Sequence, residues 1–194
     1  FTITVGGNGE IEQLKTLINA RQLNDYTLPS GWLPCAAINP EEDGDYQVDD
    51  LDPLHDLTLE ELDLSGTNVT SLRPLRGMPL RNLELRALSV SDLSPLEGMP
   101  LETLRLSGSA VTDLSPLSDS PIENLSLTGL VIEELDPLGG MPLRRLTVTA
   151  SNLSPDQIEF VSGFRNLEYL GEAADPEDQT PETFLERVAA GDYE

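Results

Sequence analysis

Through the middle of the chain, apolar side chains fall into blocks that recur every 21 residues. One column runs Leu59, Leu80, Leu101, Ile122, Leu143 and Phe164, and the next runs Leu62, Leu83, Leu104, Leu125, Leu146 and Leu167. A third column, two positions further on, holds Leu64, Leu85, Leu106, Leu127, Val148 and Tyr169, so each unit reads L-x-x-L-x-L. Two inward side chains separated by one outward side chain are the alternation of a short strand. The small residues Gly66, Ala87, Gly108, Gly129 and Ala150 follow, where the chain must turn and a larger side chain would crowd the next coil. Val48, Val69, Val90, Val111, Ile132 and Leu153 then point back inside.

The return limb of each unit reads Leu72-Arg73-Pro74-Leu75, Leu93-Ser94-Pro95-Leu96, Leu114-Ser115-Pro116-Leu117 and Leu135-Asp136-Pro137-Leu138, with Leu51-Asp52-Pro53-Leu54 ahead of the first. Proline fixes φ and removes an amide that a short 3₁₀-like turn leaves unbonded. A coil of 21 residues has no room for a long helix on this side. The last unit differs, because Ser154-Pro155-Asp156-Gln157 is a helix-start signal and Ile158, Phe160 and Val161 can bury a helical turn or two. A single unit would leave its leucines in water, and only stacking of about three or more units with covered ends buries them.

The pattern therefore predicts an α/β solenoid: a right-handed leucine-rich repeat horseshoe with a parallel β-sheet on the concave side, 3₁₀-type turns on the convex side and capped ends. Residues 1–46 read as an N-terminal cap, 47–170 as the repeats, and 171–194 as an acidic linker followed by a helix. Within the first segment, Phe1 to Val5 alternates like a strand, and Glu10 to Asn24 carries Ile11, Leu14, Leu17 and Ile18 on one helical face. Trp32, Leu33, Cys35 and Ile38 are placed to pack under the first repeat. At the far end Thr180 can N-cap a helix with Pro181 at its first position, and Gly191 can close it.

On these residues the chain resembles known repeat proteins. The V-x-x-L-x-P-L limb is similar to the internalin-like class of bacterial leucine-rich repeats. The phrase Leu93-Ser94-Pro95-Leu96-Glu97-Gly98-Met99-Pro100-Leu101 resembles planctomycete-type repeats, which are often attached to serine/threonine kinases. The resemblance covers about two thirds of the chain. It implies a fold and a binding role, but no particular ligand. No kinase glycine loop or catalytic Asp motif occurs in this sequence, so a kinase would lie outside it.

Composition narrows the partner. The formal charge of −24 arises from 35 acidic against 11 basic residues and opposes approach to nucleic acid or to anionic membranes. Cys35 is the single cysteine, so neither an internal disulfide nor a thiolate metal cage is available. No apolar run reaches the ~18 residues a membrane span requires, and the start at Phe1 suggests a processed or excised chain. The compartment, cytoplasmic or secreted, stays open.

Candidate chemistry is sparse, and no catalytic residue, cofactor or metal is expected. Gly6-Gly7-Asn8-Gly9 lies between strand and helix, where a phosphate loop would lie, but without the G-K-[ST] ending it reads as a tight turn. His55 has no Ser or Cys at a partner position and reads as a surface or turn residue. The run Glu41-Glu42-Asp43-Gly44-Asp45, with Asp49, Asp50 and Asp52, lacks EF-hand spacing and reads as a solvated loop, with calcium binding as the alternative.

The strand face is more informative. Its outward positions, from Glu60 to Leu170, hold six Arg against seven acids, a net of −1 in a chain of −24. Arginine suits bidentate contact with carboxylates and stacking on aromatics, and it is enriched at interfaces. Arg81, Asn82, Arg86, Arg105, Asn124, Ser126, Arg144, Arg145 and Arg165 are accordingly the expected contacts for a protein or peptide partner of a monomeric, non-catalytic module belonging to a larger bacterial protein. The competing reading is that Arg and Glu pair across neighbouring strands, as Glu84 beside Arg105 and Glu123 beside Arg144 would. The face would then belong to a structural spacer without a specific ligand.

Overall fold

The computed structural model describes residues 2–4, 51, 54, 59–172 and 180–192. The proposed N-terminal helix, the turn at Gly6 to Gly9, the acidic run, His55, Val48 and most of the acidic linker lie outside the described residues. Among the described residues, seven three-residue strands form one parallel sheet in sequence order: β1 (Thr2–Thr4), β2 (Glu61–Asp63), β3 (Asn82–Glu84), β4 (Thr103–Arg105), β5 (Asn124–Ser126), β6 (Arg145–Thr147) and β7 (Tyr169–Gly171). The sheet is open, as a leucine-rich repeat solenoid requires. Strand register follows the repeat: Leu62 pairs with Leu83, Leu83 with Leu104, Leu104 with Leu125 and Leu125 with Leu146.

In-register pairing stacks like on like. The two leucine columns of the strands, together with Leu59, Leu80, Leu101, Ile122 and Leu143, are buried over the whole array, and Leu51 and Leu54 join them. The returning column is buried at Val69, Val90, Val111 and Ile132, while Leu153 is only partly covered. Short 3₁₀ turns at Arg73–Leu75, Ser94–Leu96, Ser115–Leu117 and Asp136–Gly140 form the opposite side, each with its proline at the start. The carboxylates of Asp92 and Asp113 accept from the backbone N–H of Ser94 and Ser115 at 2.9 and 2.8 Å, meeting donors that a helix start leaves orphaned. These hydrogen bonds hold both aspartates below the usual carboxyl range. At Asp92 the Ser94 hydroxyl contributes most and the Ser94 N–H next; at Asp113 the Ser115 N–H comes first.

After β2, β3, β4 and β5 the small residue has a backbone reason more than a steric one. Gly66, Ala87, Gly108 and Gly129 take φ of 71°, 58°, 70° and 81°, the left-handed region. A Cβ on Gly108 would meet Ala87 Cα at 3.8 Å, ordinary van der Waals contact, so crowding does not exclude a side chain there. Conformation selects glycine at this turn, and Ala87 tolerates it at a cost.

The last unit breaks the period. Its convex segment is an α-helix, α1 (Pro155–Ser162), opened by a capping box in which Ser154 and Gln157 satisfy each other's backbone N–H. The Gln157 amide also donates to Ile132 O at 2.8 Å, tying the helix to the preceding coil. An α-helix advances only ~1.5 Å per residue against ~2.0 Å for 3₁₀, so it consumes more chain over the same distance. The register shows the difference: Arg145 pairs with Tyr169 and Leu146 with Leu170, an offset of 24 in place of 21. Three is an odd number, and side chains alternate along a strand, so the expected faces exchange. Leu170, expected outward, is buried, and Tyr169, expected in a core column, shares the outer face with Arg145.

The final edge of the sheet is covered. Helix α2 (Pro181–Ala190) begins at Thr180, whose hydroxyl accepts from Thr183 N–H, and ends at Gly191 with φ of 79°. It rests on β7 and α1, burying Phe184 completely and Leu185 and Val188 in part. This covers the leucines of the last coil and shields a strand edge that would otherwise be free to pair with another chain. Glu172 belongs to the fold and not to a linker, since its carboxylate accepts from Ala150 N–H at 2.8 Å.

Candidate interaction surface

The exposed face of the sheet displays two adjoining tracks. The first, made of strand residues, is Glu61, Asn82, Thr103, Asn124 and Arg145 in one row and Asp63, Glu84, Arg105, Ser126 and Thr147 in the next. The second, one residue ahead of each strand, is Glu60, Arg81, Glu102, Glu123, Arg144 and Glu168. Because each row repeats at one strand spacing, about 4.8 Å, every side chain can reach the equivalent residue of the next coil.

Most of the arginines do reach. Arg81 pairs with Glu102, and Arg105 pairs with Glu84, which also receives Arg86 at 2.7 Å from within the same unit. Arg144 is held by Glu168, with Nε donating at 3.0 Å, and lies 4.0 Å from Glu123. Hydrogen bonding to Glu168 and the charge of that carboxylate raise the Arg144 guanidinium pKa above its ordinary value. The pairing of Glu84 with Arg105 is one of two the repeat ladder suggested, and the other, Glu123 with Arg144, is present at 4.0 Å. For Arg144 the principal partner is Glu168, since β7 has shifted and brought it alongside.

Polar residues form a second network. Asn82 donates to Glu61 at 3.1 Å, and Asn124 donates to Thr103 at 3.4 Å. Ser126 accepts from the Thr147 hydroxyl at 2.6 Å and lies 2.7 Å from the Ser107 hydroxyl. These chains of hydroxyls and amides join the ion pairs in keeping the middle of the face hydrophilic.

Arg145 and Arg165 depart from this scheme in opposite ways. Arg145 stands on β6 with its guanidinium carbon 4.5 Å from the ring centroid of Tyr169, a cation–π contact. Arg165 lies in the turn between α1 and β7, off the strand face, because the longer last unit moves the strand three residues on. Eight of the nine expected contact residues thus share the sheet face or its margin, and Tyr169 joins them unforeseen. The capping box at Ser154 was the signal in the sequence that could have located the shift.

Among the described residues no group of three His, Cys, Asp or Glu side chains is placed to hold a metal ion. No described helix is long and apolar enough to cross a membrane.

Neither the known protein-family models nor the curated proteins give a match to this sequence. Solved structures do. An internalin (InlF) from Listeria monocytogenes superposes with a TM-score of 0.56 at 24% identity, over 73% of this chain and 43% of that one. Internalin C2 from the same organism gives 0.55 at 25% identity, over 68% of this chain and 61% of its own. The chain thus spans less than two thirds of either neighbour's length. The likeness is one of fold: an internalin-like leucine-rich repeat solenoid.

Proposed function

We propose that this chain is a non-catalytic protein-interaction module that takes a protein or peptide partner on its strand face and serves as an accessory region of a larger bacterial protein. The observation that carries this reading is the face itself, a continuous polar surface of charged, amide and hydroxyl side chains spread over five successive strands on a rigid aliphatic core. Extended sheet faces of this kind are what solenoids offer for recognition. Its ion pairs are exposed, each worth at most ~1 kcal/mol, so a partner's charges can replace them at little cost. The planctomycete-type phrasing of the repeats makes a serine/threonine kinase one candidate for the protein it serves.

The cross-strand pairing of Arg81, Arg105 and Arg144 equally suits a structural spacer. Affinity capture separates the two readings. Wild-type chain and an Arg105→Ser, Arg144→Ser, Arg145→Ser variant are each used to capture partners, and any retained protein is then titrated in pure form. Saturable binding lost in the variant supports the interaction module. Equal binding by both removes the strand face from consideration, and no saturable ligand favours the spacer.

A further inference from the structure

The arginines of the face are not equivalent, and the difference indicates what the face recognises. Arg81, Arg86, Arg105 and Arg144 are each bridged to Glu102, Glu84 or Glu168. Among the described residues no carboxylate lies within ion-pair distance of Arg145. Its guanidinium is instead positioned over Tyr169, whose ring is nearly buried and whose hydroxyl donates to Glu172 O at 3.1 Å. A guanidinium stacked through one flat face keeps its edge N–H donors, and that planar fork is matched to a carboxylate. Holding it on an aromatic ring removes part of the rotamer entropy that binding would otherwise cost.

The β2 side of the face has the opposite sign. Glu60 and Asp63 carry negative charges beside β2, with no arginine at the strand positions of that unit. Between β2 and β6 lie the neutral side chains Asn82, Thr103, Asn124 and Ser126, and the charges there offset one another: Arg81 bridges Glu102, Arg86 and Arg105 share Glu84, and Glu123 lies 4.0 Å from Arg144. The face is therefore polarised along the array. From β2 to β6 is four strand spacings, about 19 Å, a distance that about six residues of extended chain cover.

Resting on the reading of this face as a recognition surface, we propose that its ligand is an extended peptide segment lying across the strands, with a basic side chain over Glu60 and Asp63 and a carboxylate seated on Arg145. Charge complementarity fixes both the composition and the direction of that peptide. The net charge of −24 favours a ligand that is basic overall, and the single anionic contact is made at the one strand-face arginine that no described carboxylate neutralises.

A random-peptide display library selected against the whole chain and against Arg145→Gln tests this. On wild type, enriched peptides should carry a basic residue and an acidic residue or C-terminal carboxylate about five to seven positions apart. The acidic feature should vanish from the Arg145→Gln selection. A synthetic enriched peptide should bind Arg145→Gln about tenfold or more weakly, the loss expected for a charge-assisted hydrogen-bonded pair. Arg145→Lys should recover only part of this, because it restores charge but not the fork, and both variants should still unfold in one cooperative transition. Ser126→Tyr, which puts bulk in mid-face, separates this inference from the reading beneath it. Binding blocked by Ser126→Tyr yet indifferent to Arg145→Gln overturns the carboxylate assignment alone. Binding indifferent to both, or no enrichment on wild type, overturns both.

Discussion

Leu146 of β6 is paired in the sheet with Leu170 of β7, although the repeat period assigns that place to Leu167. The helix α1 lengthens the last coil, so Leu170 enters the core and Arg165 is left in an exposed turn. Leu170→Ala should cost about 2–5 kcal/mol, the range for deleting a buried leucine. Arg165→Ala should stay within about 0.5 kcal/mol of wild type. Urea unfolding measures both, and equal tolerance of the two changes would contradict the register.

Ala87 occupies a turn whose equivalents are Gly66, Gly108 and Gly129, and it holds φ of 58° there. An L-residue pays of order 1 kcal/mol for that conformation. Ala87→Gly should therefore raise stability by up to about 1 kcal/mol, and Gly108→Ala should lower it by a similar amount, despite the general cost of adding glycine. A lowered midpoint for Ala87→Gly would show that the φ argument fails at this turn.

Ser120 falls in the buried column of Met78, Met99 and Met141, and its hydroxyl has no hydrogen-bond partner. A buried hydroxyl left unpaired costs roughly 1–3 kcal/mol. Ser120→Ala removes it with little change of volume, so the variant should melt at or above the wild-type temperature. A clear drop in Tm would mean that the hydroxyl is satisfied in solution.

Asp92 and Asp113 have native pKa values below their ordinary 3.8 because Ser94 and Ser115 donate to them. Protons then bind the unfolded chain more readily than the folded one. The stabilisation is complete above the unfolded value and disappears as pH falls through the depressed native values. The double variant Asp92→Asn, Asp113→Asn keeps a carbonyl acceptor at each turn but cannot titrate. Its stability should decline less steeply than that of wild type below the ordinary carboxyl range, as followed by chemical unfolding at stepped pH; parallel acid limbs would refute the assignment.

Much of this architecture could be read from the residues. The leucine columns predicted which side chains are buried between Leu59 and Val148, and the Pro-containing limbs predicted the 3₁₀ turns. Both are local consequences of a repeating pattern whose in-register stacking is its only way to bury the leucines. Ser154 and Gln157 likewise announced α1, and Thr180 and Gly191 announced α2. The candidate face was legible as a set of positions, and its chemistry was less so: Arg144 takes Glu168, and Arg145 takes Tyr169, through neighbours that the constant period placed elsewhere.

By itself, then, the sequence determined the repeating coil, its buried columns and the residues its strands display, because strand alternation and the burial of leucine act within one unit and its nearest copies. Tertiary structure alone decided where the last strand lies and which strand-face arginine has no described carboxylate within reach. The rise of an α-helix sets how much chain the final coil consumes. That length fixes the register of β7, and the register determines which side chains come within reach of the long, flexible arginines beside it.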